Sequence, residues 1–133
     1  MKQKLIIIAL LTVVMLTSAA APSLAQEQPG PSVEVETSNE DVEREACETI
    51  DANTQVCESE MDGSTAELII YSDRTQRLTF TDAGGFFEGG EIFRDTQTVR
   101  EGQNKVRVPL TVVDGNAAVS IDTGTTLYGI VLR

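Results

Sequence analysis

The chain has no histidine and no tryptophan, and only two cysteines among its 133 residues. Without histidine it lacks the commonest general base and the commonest metal ligand. Basic residues are also few: 10 Lys and Arg stand against 21 Asp and Glu, a net charge of −11. That balance excludes a nucleic-acid binder, whose affinity comes mostly from Lys and Arg on phosphates. The length is that of one domain. Hydrophobic residues make up 41%, so most of the chain can fold.

What is present begins with an address. Met1-Lys2-Gln3-Lys4 precedes an uncharged apolar run, Leu5 to Leu16, and small residues follow at Ser23 and Ala25. This order of basic, apolar and small residues is that of a secretory signal peptide, with cleavage expected after Ala25. Ser18 and Ala20 offer an earlier site. The competing reading is an uncleaved anchor over Leu5 to Ala21, which is at the short end for a bilayer span. No Cys marks a lipoprotein site, and no twin-Arg signal is present. Removing residues 1–25 takes away Lys2 and Lys4 and no acid. It leaves 108 residues with eight bases against 21 acids, a net of −13, and Lys105 as the one remaining Lys. Abundant acid with scarce Lys is the composition expected in strong brine, where salt screens self-repulsion. Ordinary acidic solubility is the alternative.

Residues 26–32 (QEQPGPS) read as a linker, since two prolines and a glycine deny a helix or a paired strand. The domain is then 33–133. Its acidic stretch, Glu34 to Glu60, leaves room for a helical turn or two over Asn39 to Cys47, capped by Ser38 or Asn39. From Val56 onward, strands dominate. Asp62-Gly63 suits a type I′ turn pairing Met61 with Ser64, Ser59 with Ala66 and Cys57 with Leu68. Gln76 to Asp82 alternates, with Leu78 and Phe80 on one face. Ile92 to Val99 is a further strand. Lys105 to Val113 places Val106, Val108, Leu110 and Val112 on one face, and Asp114-Gly115 would set Leu110 against Val119 and Val108 against Ile121. Thr126 to Leu132 closes the chain. Short strands with turn signals about every 8–12 residues indicate an all-β antiparallel immunoglobulin-like sandwich of about seven or eight strands. A jelly roll or open barrel is the runner-up. Long amphipathic helices are missing, which excludes an α/β enzyme fold.

Few residues offer chemistry. Cys47 and Cys57, an even pair in an exported chain, read as a disulfide. Asp51-Ala52-Asn53 suits a turn that would bring them opposite one another. Three acidic groups, Asp41-Glu43-Glu45, Glu58-Glu60-Asp62 and Asp51 with Asn53, lack the spacing of a calcium loop and read as a solvated face. A Ser–Lys dyad would need Lys105, which alternates outward. No catalytic set, metal site or cofactor is expected. The segment Thr81 to Glu91 (TDAGGFFEGGE) is the most unusual. Its Phe86 and Phe87 either plug one end of the core or form an exposed tip that engages a partner.

The segments YSDRTQRLTFTDAGGF, EGQNKVRVPLTVVDG and VSIDTGTTLYGIVL resemble those of small exported β-proteins of salt-loving archaea and their mobile elements. The resemblance covers Cys47 to Arg133 and rests on texture: Arg over Lys, Thr and Val in strands, Asp-Gly turns. It implies a fold and an environment but no activity.

Three functions are weighed on these grounds. The first is an exported, non-catalytic sandwich acting through its surface, as a component of an envelope, filament or virion or as an adhesive module. In that case Ser32 to Thr37 (SVEVET) is free to pair with a neighbour's sheet edge. The second is a soluble extracellular binder or inhibitor using the Phe86-Phe87 loop. The third is a small hydrolase, for which no residue set stands out. The expected location is secreted or at the cell surface. Expected partners are proteins or further copies of the chain, with no nucleic acid and no membrane contact once the signal is cleaved.

Overall fold

Alternation of period two decides which side chains enter the core. In β5 (Gln76–Asp82) Leu78 and Phe80 are fully buried, and Arg77, Thr79 and Thr81 lie on the opposite face, as strand geometry requires. The same rule buries Asn104, Val106 and Val108 in β7 (Gly102–Pro109), and Ala117, Val119 and Ile121 in β8 (Ala117–Asp122). The computed structural model describes residues 30–39 and 41–133, and these contain nine strands. The other six are β1 (Glu34–Thr37), β2 (Glu48–Asp51), β3 (Thr54–Asp62), β4 (Thr65–Ser72), β6 (Arg94–Val99) and β9 (Leu127–Leu132). The expected signal segment 1–25 and residues 26–29 of the expected linker lie outside the described residues.

Two antiparallel sheets pack face to face, in the orders β1-β7-β4-β3-β2 and β6-β5-β8-β9. The chain crosses from β4 to β5, returns from β6 to β7 beside β4, and crosses again to β8 beside β5. This is immunoglobulin-like connectivity, with β3, β4 and β7 in the places of strands A, B and E, and β6, β5, β8 and β9 in those of C′, C, F and G. Two strands extend that set. One is β2, beyond β3, the first arm of the hairpin expected between the two cysteines. The other is β1, which stands beside β7 where strand D would be. Thus the segment read as free for a neighbour pairs inside its own chain, Val35 opposite Val106. The N–H of Val33 also donates to Asp95 Oδ2 at 3.0 Å, tying the strand's entry to the second sheet.

Three local expectations are corrected. The β3–β4 hairpin pairs Met61 with Ala66 and Ser59 with Leu68, two residues out of the expected register. The turn residues are Gly63 and Ser64, and only Gly63 has positive φ, at 61°. A left-handed first residue alone is the mark of type II′, not I′. The shift is even, so the faces are unchanged. At Asp114-Gly115 the expected hairpin turn forms, as type I′ with φ of 52° and 77°, and Val113 and Asn116 exchange both backbone bonds. The hairpin goes no further. Pro109 ends β7, the Leu110 N–H donates to Ser64, and β8 departs into the other sheet. Leu110 therefore does not pair with Val119, and Val112 is exposed. Finally, the described residues of 39–47 contain no α-helix. A single 3-10 turn spans Arg44–Ala46, and its N-cap Glu43 makes no side-chain cap bond.

The core lies between the sheets. Phe80, Leu68, Ile70, Leu78 and Ile121 are its largest fully buried side chains, each stabilising the fold by roughly 1.5–3 kcal/mol.

Candidate functional site

Register determines what reaches the outer face of the four-stranded sheet. β5 sets Thr79 opposite Asp122 and Thr81 opposite Ser120. β8 sets Ala118 opposite Val131, Ser120 opposite Gly129 and Asp122 opposite Leu127. All of these face outward, because Phe80, Val119, Ile121 and Ile130 between them are core. The middle of the face is therefore small: Thr81, Ser120, Gly129. At the β9 edge Leu127 and Val131 stand 72% and 66% exposed.

The β5–β6 connection adds to this face. It forms one short helix, α1 (Gly85–Glu88), on which Phe86 and Phe87 are 69% and 81% exposed. The rings do not plug the core, and the exposed-tip alternative describes their placement. Phe86 lines a shallow groove of about 550 Å3 with Thr81, Ser120 and Leu127. Phe87 lines another of about 460 Å3 with Ala118, Val131 and Arg133. Four large apolar side chains thus share one exposed face, which is what marks an interaction surface.

Asp82 anchors that tip. It is 4% exposed, and its Oδ2 accepts bonds from the Thr111 N–H at 2.9 Å and the Thr111 hydroxyl at 2.6 Å. Its Oδ1 has no partner. The carboxylate therefore ties the base of α1 to the β7–β8 crossover. Glycine is required beside it, since a Cβ at Gly84 would stand 2.5 Å from the Thr111 carbonyl oxygen. The sequence signal for this was present in the Asp-Ala-Gly-Gly run, but the partner Thr111 is 29 residues away and could not be read.

The opposite face of the sandwich is ionic. Glu67 Oε1 accepts from Arg107 Nε at 3.0 Å and lies 3.8 Å from Lys105 Nζ. Arg107 also reaches Glu36 at 3.2 Å. Hydrogen bonding to Glu67 raises the Arg107 guanidinium above its ordinary pKa, against some desolvation, with help from Glu36 and Glu34. Lys105 does face outward, and it is ion-paired. Glu58 and Glu60 are exposed.

The two cysteines are brought together. Cys47 and Cys57 form a disulfide, and the β2–β3 hairpin that aligns them turns at Ala52-Asn53. The Asn53 N–H donates to Asp51 Oδ1 at 2.8 Å, which fixes that turn. The clip holds the 3-10 turn against β4, where the Arg44 guanidinium lies 3.6 Å from the centre of the Tyr71 ring. Burial pushes the Asp51 carboxyl up, but hydrogen bonds from Thr123, Asn53, Thr54 and Thr125 outweigh it and leave it below its ordinary value. A hydrogen bond to Glu48, with burial and the Glu48 charge, pushes the Tyr128 phenol up to about 12. Among the described residues no group of three His, Cys, Asp or Glu could hold a metal ion. None of their helices is long and apolar enough to cross a membrane.

A family model matches residues 6–133, nearly the whole chain. The chain belongs to DUF8063, a family of unknown function. No curated protein and no solved structure matches it. The site must therefore be read from its own geometry.

Proposed function

We propose that this member of the family is an exported, non-catalytic interaction module of the cell surface or its surroundings. Its working surface is the outer face of the four-stranded sheet. The observation that carries the reading is the exposure of Phe86 and Phe87 beside Leu127 and Val131. A folded chain gains nothing in stability from rings left in water, whereas a partner that covers them gains their full burial. The signal segment, the disulfide and the acidic composition support export into an oxidising, salt-rich setting. The partner is another protein with an apolar surface, as in an envelope, filament, virion or adhesive assembly. A soluble binder using the same rings is the second reading, favoured by the anchoring of the tip through Asp82 and Thr111.

The test is the double variant F86S/F87S. Neither ring contributes to the core, so the variant should keep the wild-type stability within about 1 kcal/mol. Pull-down from surface extracts in molar salt should lose the partner that the wild type retains. Equal retention by the variant would remove this face from the function.

A further inference from the structure

We infer that β9 is the strand through which two copies of this chain join, antiparallel about a two-fold axis at Gly129, to make one continuous eight-stranded sheet. A sheet edge offers unpaired backbone groups to any matching strand, and proteins normally guard it with charge, brevity, bulges or proline. The sandwich has four edges, and three are guarded. β1 is four residues long and carries Glu34 and Glu36. β2 is also four residues, carries Glu48 and Asp51, and has a register shift between Thr49 and Asp51. β6 carries Arg94 and Asp95. β9 (LYGIVL) has six residues, with no Asp, Glu, Lys, Arg or Pro, and its register with β8 is unbroken. It pairs with β8 alone. Its contacts with β2 run through side chains, Tyr128 to Glu48, with Asp51 meeting Thr125 in the preceding loop.

The exposed side chains of β9 are complementary to themselves. Antiparallel pairing about Gly129 sets Gly129 opposite its own copy and Leu127 opposite Val131 of the other copy, twice over. Outer faces then stay on one side, as the two-residue period demands. The two most exposed aliphatic residues among the described residues, at 72% and 66%, become a cross-strand apolar pair. Charge favours a second copy as the occupant. On a chain of net charge −11, a strand free of Asp and Glu is where a copy can approach with least repulsion. A two-fold contact of this kind is self-complementary by construction. The inference stands apart from the reading of Phe86 and Phe87: the rings can bind a partner without a dimer, and the dimer needs no ring.

The experiment is sedimentation equilibrium of the full chain in molar NaCl, with three variants and circular dichroism to confirm folding. The wild type should be a dimer. L127K and V131E should each weaken dimerisation by about tenfold or more, since the axis doubles each loss. In low salt, where the introduced charges are not screened, the pair L127K/V131E should dimerise more tightly than either single variant, because this register sets each introduced lysine opposite the introduced glutamate of the other copy. A wild-type monomer overturns the inference, as does a dimer that all variants leave intact. A pair that dimerises no more tightly than the single variants in low salt also overturns it, and indicates docking by the sheet face. If the charged variants fail to fold, G129C decides, because a Cβ there meets nothing within 4 Å. Oxidised G129C should run as a covalent dimer on a non-reducing gel, and a monomer under those conditions refutes the axis.

Discussion

Replacing both cysteines, C47A/C57A, should loosen residues 41–51 and leave the two sheets standing. The cysteines are separated by 10 residues in sequence. Closing a loop of that size removes about 3 kcal/mol of chain entropy from the unfolded state. Against that sum stands what holds β2 without the clip. Ile50, at 8% exposure, is its one core side chain, worth roughly 1.5–3 kcal/mol. Asp51 adds a hydrogen bond from Thr125 at 3.1 Å. The clip and the strand's own anchors are thus of similar size, so β2 and the 3-10 turn should open locally in the variant. β3 is in a different position. Thr54 and Val56 are buried, and β3 pairs with β4 from Thr54 opposite Ser72 to Asp62 opposite Thr65.

Denaturant titration in molar salt should show a loss of about 3 kcal/mol or less. Hydrogen exchange should show amides 41–51 unprotected and those of β4, β5, β7 and β8 still slow. If β4 and β7 lose protection together with β2, the disulfide organises the core and this reasoning fails.

Other outcomes rest on single groups. D82A removes the acceptor of two Thr111 bonds and should cost about 2–3 kcal/mol, whereas D82N keeps the accepting oxygen. D82N should therefore lie within about 1 kcal/mol of wild type in denaturant titration. The Asp51 carboxyl lies below its ordinary value in the folded chain, so its contribution is full above the unfolded pKa of about 3.9 and is lost as pH falls below it. Asp95 behaves alike, since bonds from Gln97, Val33 and Thr96 outweigh its burial. The Tyr128 pKa is raised to about 12, so its contribution is full below pH ~10 and is lost as pH climbs through 12. Y128F should flatten that alkaline loss in a pH series of melting curves. Added salt should stabilise the fold, because acids outnumber bases 21 to 10 and screening relieves more repulsion than it costs Arg107 in attraction. Equal melting temperatures in low and molar salt would refute that reading of the composition.

Much of the sandwich was legible because its information is local. Alternation in β5 and β8, the Asp-Gly turn signals and the cysteine spacing each act within a short stretch of chain. What the sequence hid is non-local. The Asp114-Gly115 turn formed as its residues require, yet a turn says nothing about how far its strands stay together. Pro109 and the pull of Asp82 on Thr111 divert the chain to the other sheet. The partner of β1 was hidden for a related reason. Four residues with two glutamates carry too little pattern to name a partner, and only the vacant place beside β7 supplies one. The candidate face was half legible. Phe86-Phe87 stood out by its glycine frame, but whether the rings turned in or out depended on the distant Thr111. Leu127 and Val131 were hidden among β9's other apolar residues, Ile130 and Leu132, which are core.

The two outer faces of this sandwich follow the same alternation and yet carry opposite chemistry. On the five-stranded sheet the outward positions hold Glu36, Glu67, Lys105 and Arg107, which neutralise one another across strands. A face whose charges are already paired offers little to a partner, because each exposed pair is worth at most about 1 kcal/mol and salt weakens it further. On the four-stranded sheet the outward positions hold mostly Thr, Ser, Ala and Gly, with Arg77, Arg94 and Asp122 among them, flanked by Phe86, Phe87, Leu127 and Val131. Apolar contact is not screened, and excluded salts strengthen it. In high salt the ionic face is therefore spent on the fold itself. The apolar face is where binding free energy survives, and any partner chemistry sought for this chain should be sought there.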